Sequence, residues 1–518
     1  MPGIKEILKN KTDGNLFVDM FVFFENISHL CGVGEIIVLF SLSDTKRINL
    51  VTLLYLNFNL LELFDYPLDY DIEVEGTYYH DPSIPEGEIT WLYTTVKPDY
   101  QFPAIRYEIL EKCFIPNEDD LDDEWIDDGI DDEDIETRSG EMSFAELLEQ
   151  KALENAGLIK KFEKKCNEIE TRSWKRKRPT GTLKVYDTYL RKDVPVKGVK
   201  VRCHTVVKWS TAFTDENGYY SMGSKFNLGP HYAVVFDNSQ DFTIWGNWGP
   251  LAAANYNMGW HSKSGHDRTF GTNAKAWDWC TVNNAAYEYY RNAKKDGIGL
   301  PPKNVRIWVW RHKDDVSCAP MLRRVWHPIG VNSHSGWSNF FINISGGRLA
   351  TYINTLLKFA MPDIIIGTGD KYHTDKIYET VNHELSHASH FNKVGSAYWA
   401  KYINYIITYG RGEERYGDID CKNSGICGVG EMWGFAMGFS RLYEKYDIPK
   451  TSYFPGYKYW FKPQIIWDLN RENILTKREI FNCMTSDVQN HAQLKAKMKS
   501  TYKNKSSQIE NIFNRHGF

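Results

Sequence analysis

Cysteine is scarce. Nine residues in 518, with no CxxC pair among them, argue against a disulfide scaffold, a zinc ribbon or a dithiol redox site. Cys421 and Cys427, the closest pair, flank Asn423-Ser424-Gly425. They are expected to close a small disulfide loop in an oxidising compartment, with two free thiols as the alternative. Excess positive charge is also missing: 62 Lys plus Arg stand against 67 Asp plus Glu, for a net charge of -5. That balance gives no global attraction to nucleic acid. Nor is there an apolar run long enough to span a bilayer, since Ile48 to Phe64 is broken by Asn49, Asn57, Asn59 and Glu62. The basic pair Lys46-Arg47 precedes that run, but it starts far from Met1 and no small-residue cleavage site follows. Residues 1–64 therefore read as an apolar N-terminal region, either a buried helix or strand or the product of a start codon assigned too far upstream, with no transmembrane span.

What is present is ordinary globular material, 42% hydrophobic and 14% aromatic, in a chain of 60.2 kDa that is long enough for several domains. Residues 65–116 carry strand and turn patterns such as Glu88-Ile89-Thr90-Trp91-Leu92-Tyr93. Thirteen of the nineteen residues from Glu118 to Glu136 are acidic. Such a block repels itself and reads as a linker, followed by a charged helix over Ser143–Cys166, so 117–178 separates the domains. From 179 to 245 short strands recur with turn chemistry between them. Val199, Val201 and Cys203 alternate with Lys200, Arg202 and His204, the period of a half-buried strand. The remainder, 246–518, reads as mixed α/β turning helical, with a strand at Val305–Trp310 and another ending at Gly367.

One motif carries chemistry: His383-Glu384-Leu385-Ser386-His387, an HExxH. The pattern predicts a helix from about Asp375, as N-cap, to Lys393, with Gly395 as its stop. At 100° per residue, His387 lies about 40° from His383, so both imidazoles share one stripe and can reach one metal ion. Ile377, Val381, Leu385 and Ala388 fall at about 120 to 200°, which predicts a packed face opposite and histidines turned into a cleft. Glu384 borders the ligand stripe and can reach a bound water. Zn²⁺ usually takes a third protein ligand. His390 shares the stripe but lies a further turn away, and the position six residues after His387 is Lys393 rather than His, which excludes the metzincin pattern. Glu413 and Glu414 read as exposed loop.

Glu431 is best placed, in Gly428-Val-Gly-Glu-Met-Trp-Gly-Phe-Ala-Met-Gly-Phe439. This segment is apolar nearly all round, so its helix is buried. Gly434 and Gly438 share the side of Glu431, and interior glycines cost about 1 kcal/mol each relative to alanine, which points to close helix approach. A carboxylate on such a face needs a strong partner. Tyr398, Tyr402, Tyr409 and Tyr443 are available as oxyanion donors, and Glu379, one turn before His383, as a group orienting the histidines.

Two resemblances follow from these residues. Gly181-Thr-Leu-Lys-Val-Tyr-Asp187, Val194-Pro-Val-Lys-Gly-Val-Lys-Val201 and Thr214-Asp-Glu-Asn-Gly-Tyr-Tyr220 resemble the carboxypeptidase regulatory-like (transthyretin-like) module. That family implies a non-catalytic β-sandwich and an extracytoplasmic location, secreted or at the cell surface. HExxH with a preceding strand and a later helical Glu resembles the gluzincin branch of zinc metallopeptidases. This implies zinc on His383, His387 and Glu431, Glu384 as general base, and a protein or peptide substrate. The 44 residues between His387 and Glu431 are more than in many gluzincins, and the usual Asn-Glu-x-x-x-(Ser/Ala)-(Asp/Glu) context is absent. The expected architecture is multidomain α+β, a small all-β sandwich followed by a zincin-like α/β plus helical catalytic domain. Two other functions fit the same letters: a surface adhesion protein with a degenerate zincin domain, and a zinc hydrolase of glycan-linked or cell-wall amides.

Overall fold

A computed structural model describes three strands within the first 175 residues. From Arg176 to Phe518 it describes everything except 206–208, 227–228, 247–252, 311–316, 326–361, 370–372, 411–415, 450–453 and 455–457. The acidic run, the helix expected over 143–166, and Glu413 and Glu414 lie outside the described residues. The fold is mixed α+β, with sheets in the N-terminal part and helices in the C-terminal part. Two compact units divide the chain. One comprises Met1–Leu183, Val199–Val235 and Asn255–Arg268, and the other Lys184–Gly198, Phe236–Ala254 and Thr269–Phe518.

The first unit is built on antiparallel pairing. Strand β1 (Glu35–Phe40) lies between β2 (Leu92–Val96) and β3 (Tyr107–Cys113). Along the chain, and divided between the two units, β4 (Thr180–Asp187) and β5 (Lys192–Pro195) precede β6 (Val199–His204), β7 (Trp209–Phe213), β8 (Tyr219–Ser221), β9 (His231–Asn238), β10 (Phe242–Trp245), β11 (Asn255–Trp260) and β12 (Arg268–Phe270). In this unit β6 pairs with β7, β11 with β9, and β8 with β4, all antiparallel. The alternation in β6 is real: Val199, Val201 and Cys203 are buried and the residues between them half-exposed. The turn at Thr214–Gly218 forms because Asp215 Oδ1 accepts from the backbone N–H of Asn217 and Tyr219, while Gly218 supplies φ 73°.

In the second unit, β10 returns antiparallel on the end of β9 through Asp241, at φ 68°. It then runs parallel to β13 (Val305–Trp310), which runs parallel to β14 (Ile364–Gly367). Helix α1 (Trp277–Asp296) follows β12 and leads into β13, and it is closed by Gly297 in the left-handed conformation. The all-buried Ile364-Ile365-Ile366 is what a strand covered on both faces requires. Short α2 (Leu322–Val325) is fixed by buried Asp363, which receives Arg323 at 3.1 Å and Arg324 at 3.2 Å.

Helices then dominate: α3 (Thr374–Val394), α4 (Ser396–Tyr409), α5 (Ser424–Lys445), α6 (Gln464–Arg471), α7 (Lys477–Cys483), α8 (His491–Thr501) and α9 (Ser506–Arg515). Helix α3 packs on α5, α1 and α4, and α5 also receives α6 and α8. None of the described helices is long and apolar enough to cross a membrane.

Two local expectations change. Asp375 is not the N-cap of α3. That position is His373, whose side chain makes no capping bond, and Asp375 sits in the first turn, where its charge favours the positive end of the helix dipole. Cys421 and Cys427 are free thiols, the first half-buried in a turn and the second buried inside α5.

Candidate metal centre

The site is made by two helices that face each other along their small side. Glycines 434 and 438 of α5 lie against the histidine stripe of α3. A methyl group on Gly434 would sit 2.8 Å from His387 Nε2 and 2.9 Å from His383 Nε2. One on Gly438 would sit 3.2 Å from His383 Cβ. Glycine at these points admits the imidazoles, as the packing argument from sequence required. The expectation of an open histidine face is corrected: α3 is buried on every side from Val381 to His390, because α5 covers the stripe that was assigned to a cleft.

His383, His387 and Glu431 are all buried, and their ligand atoms lie within 4.8 Å of one another. The two Nε2 atoms are 2.9 Å apart, and Glu431 Oε2 is 3.5 Å from that of His383 and 3.6 Å from that of His387. A tetrahedral ion with bonds of 2.0–2.1 Å needs donor separations of about 3.3 Å, which these three edges bracket. Glu431 Oε2 is buried with no hydrogen-bond partner, a costly state for a carboxylate oxygen unless a cation completes it. Two imidazoles and one carboxylate are a donor set suited to zinc. The residues fit a metal ion.

Burial alone would raise the Glu431 carboxyl, but the His387 and His383 rings hold it far below the usual carboxylate range. Burial lowers the His383 imidazole, with Glu431 opposing. Burial pushes Glu384 well upward, and the charges of Glu431 and Glu379 add to the shift. Glu384 shares its field with Cys318 and Tyr416, whose thiol and phenol are raised chiefly by burial and further by this carboxylate.

Helix α4 contributes a residue placed differently from the sequence expectation. Tyr402 was one of four possible oxyanion donors. Its hydroxyl instead donates to Glu431 Oε1 at 2.7 Å and fixes the carboxylate. The signal was available: Tyr398, Tyr402, Tyr405 and Tyr409 recur at four, three and four residues, the spacing of one helical stripe. Tyr398 donates to Val488 O, Tyr409 packs against Tyr405, and Tyr443 stands edge-on to Trp467. Tyr405 donates to the carbonyls of Tyr416 and Asp418, both at 3.0 Å, which pins the chain around Tyr416.

Tyr416 was missed from sequence because it stands outside any periodic segment. It is half-buried, and Glu431 and Glu384 both raise its phenol. Glu379 makes no hydrogen bond to either imidazole among the described residues. Its carboxylate lies against Gly438, and burial pushes it up to about 7. His387 Nδ1 is buried without a partner, and the rings of Trp399 and Tyr402 flank this imidazole at 5.8 and 6.2 Å. His390 stays out of the cluster. Fully buried beside Tyr398 and Trp399, it has no hydrogen bond to either ring nitrogen.

Tyr402→Phe removes one hydrogen bond from the ligand carboxylate and little volume. Metal affinity is expected to fall by about 10- to 100-fold, the usual effect of losing a group that orients a ligand. Competition with a chromophoric chelator measures it, with unfolding in denaturant as the control for stability.

Searches against protein-family models, curated proteins and solved structures give no match. The functional argument therefore rests on the site.

Proposed function

We propose that the chain is a zinc-dependent peptidase whose ligands are His383, His387 and Glu431 and whose general base is Glu384. The observation that carries this reading is the buried, unpartnered Glu431 oxygen facing two imidazole nitrogens from consecutive turns of one helix. Zinc held by His383, His387 and Glu431 would supply Lewis acidity and acidify a water, and its charge would offset the field of Glu431 at Glu384.

The protein's own groups supply the rest. Glu384, next to a ligand on a rigid helix, takes the proton of the attacking water and delivers it to the leaving amine. Tyr416 is the oxyanion donor in this reading. Its phenol, pushed up by burial and further by Glu431, is a neutral donor, and its ring lies 6.2 Å from that of Phe435, which meets the His383 imidazole edge-on. Tyr402 keeps Glu431 in its ligating orientation. The gluzincin resemblance supports the same roles.

Metal analysis tests the proposal. After zinc loading and dialysis, the full chain is expected to hold one equivalent, and His383→Ala and Glu431→Ala much less. A wild-type protein that loads no zinc ends the proposal. A full equivalent in Glu431→Ala moves the third ligand elsewhere.

A further inference from the structure

A set of aromatic rings adjoins the ligands and is left unused by the mechanism. Phe435 follows Glu431 by four residues on α5, so its ring lies on the same stripe as the ligating carboxylate. It meets the His383 imidazole edge-on, with ring centres 4.6 Å apart and planes at 89°. From Phe435 the rings continue to Tyr459 at 4.7 Å and to Phe461 at 5.8 Å. Tyr459 stacks on Phe461 at 5.1 Å, with planes 7° apart. Tyr416 closes the group, 5.3 Å from Phe461, 5.8 Å from Tyr459 and 6.2 Å from Phe435.

Burial divides the four rings by role. Phe461 is fully buried and forms the floor, whereas Phe435, Tyr416 and Tyr459 are each half-exposed. Trp399 and Trp433, by contrast, are covered on all sides. Three partly exposed rings grouped beside the His383 imidazole match the usual lining of a small-molecule or side-chain pocket. Lys458 Nζ lies 5.6 Å from the Tyr459 ring centre and marks the polar rim. Because Phe435 and Glu431 belong to one helix, the distance from wall to metal is set by a rigid element.

We propose that Phe435, Tyr459 and Tyr416 form a specificity wall that selects substrates carrying a large aromatic or aliphatic side chain next to the scissile bond. The inference rests on the metallopeptidase reading and names its substrate class. Phe435 and Tyr459 are the specificity-determining residues, since Tyr416 is shared with the mechanism. Side-chain burial in an apolar pocket discriminates by about 10- to 200-fold for a single methylene, so a phenyl group against a methyl group on a partly exposed wall is expected to reach at least the lower figure.

The test uses the zinc-loaded full chain and two hydroxamates, one with a benzyl and one with a methyl substituent beside the chelating group. Titration calorimetry gives both affinities, and zinc content is measured in every sample. The benzyl compound is expected to bind the wild type at least about 10-fold tighter. The gap should close to within about 3-fold in Phe435→Ala and in Tyr459→Ala, and persist in Tyr459→Phe. Phe435→Ala touches His383, so Tyr459→Ala carries the test if the first variant loses zinc. Equal affinities in a wild type that holds zinc overturn the wall and leave the metal site standing, as does a gap unchanged in zinc-loaded Tyr459→Ala. A wild type that loads no zinc overturns both.

Discussion

Glu384→Gln is expected to keep a full equivalent of zinc and to lose peptide turnover by about 10²- to 10⁴-fold, the range for removing a positioned general base. The separation of these two readouts is the content of the prediction. Glu384 is not one of the three clustered ligands, so the amide leaves the ligand triangle intact. The substitution is nearly isosteric at a position only 6% exposed, and the carboxyl there is already disfavoured in its charged form by burial, Glu431 and Glu379. Removing a charge from such a place does not weaken the fold and relieves like-charge repulsion. Stability measured by denaturant unfolding is therefore expected to hold or rise while kcat falls. A Gln variant with undiminished turnover on a peptide panel would remove Glu384 from its role. A variant that lost zinc as well would show that Glu384 holds the ion rather than a water.

Much of this centre was legible in the sequence, for reasons that can be separated residue by residue. Helix α3 was readable because HExxH lies within a long periodic segment with a glycine stop, and the observed Thr374–Val394 ends where Gly395 takes φ 83°. Glu431 was readable because a charge among glycines and apolar residues on one helix is anomalous unless something compensates it. The burial of the histidine stripe was not readable. A hydropathy pattern assigns His to the wet face, and only the arrival of α5, whose Gly434 and Gly438 expose no side chain, reverses that assignment.

Tyr402 and Tyr416 show two different failures. Tyr402 sat on a visible stripe, but which helix that stripe would face depends on the chain turn at Gly395, a tertiary property. Tyr416 is held by bonds from Tyr405 to the carbonyls around it, and carbonyl positions leave no trace in residue types. In the β region the turn at Asp215–Gly218 was legible from its residues alone, since an Asx turn is closed by the side chain that names it.

Gly434→Ala is expected to shift stability and metal binding in opposite directions. Gly434 lies mid-helix in α5, where alanine is favoured over glycine by about 1 kcal/mol. In the metal-free protein no ion fixes the imidazoles, so small shifts of their tips relieve the added methyl group and part of that gain is kept. With an ion present they cannot. The new Cβ lies 2.8 Å from His387 Nε2 and 2.9 Å from His383 Nε2, closer than such contacts tolerate, and these are the atoms that must hold their lone pairs on the metal. The rings must move, the three donors no longer converge, and affinity is expected to fall by more than about 100-fold, beyond the usual effect of losing an outer hydrogen bond. Unfolding of the metal-free variant should therefore occur at equal or higher denaturant than wild type, while added zinc no longer raises the midpoint as it does for the wild type by mass action. The opposite pattern, a destabilised metal-free protein that still gains its full increment from zinc, would mean that Gly434 serves the packing of α3 on α5 and that the ligand atoms lie elsewhere.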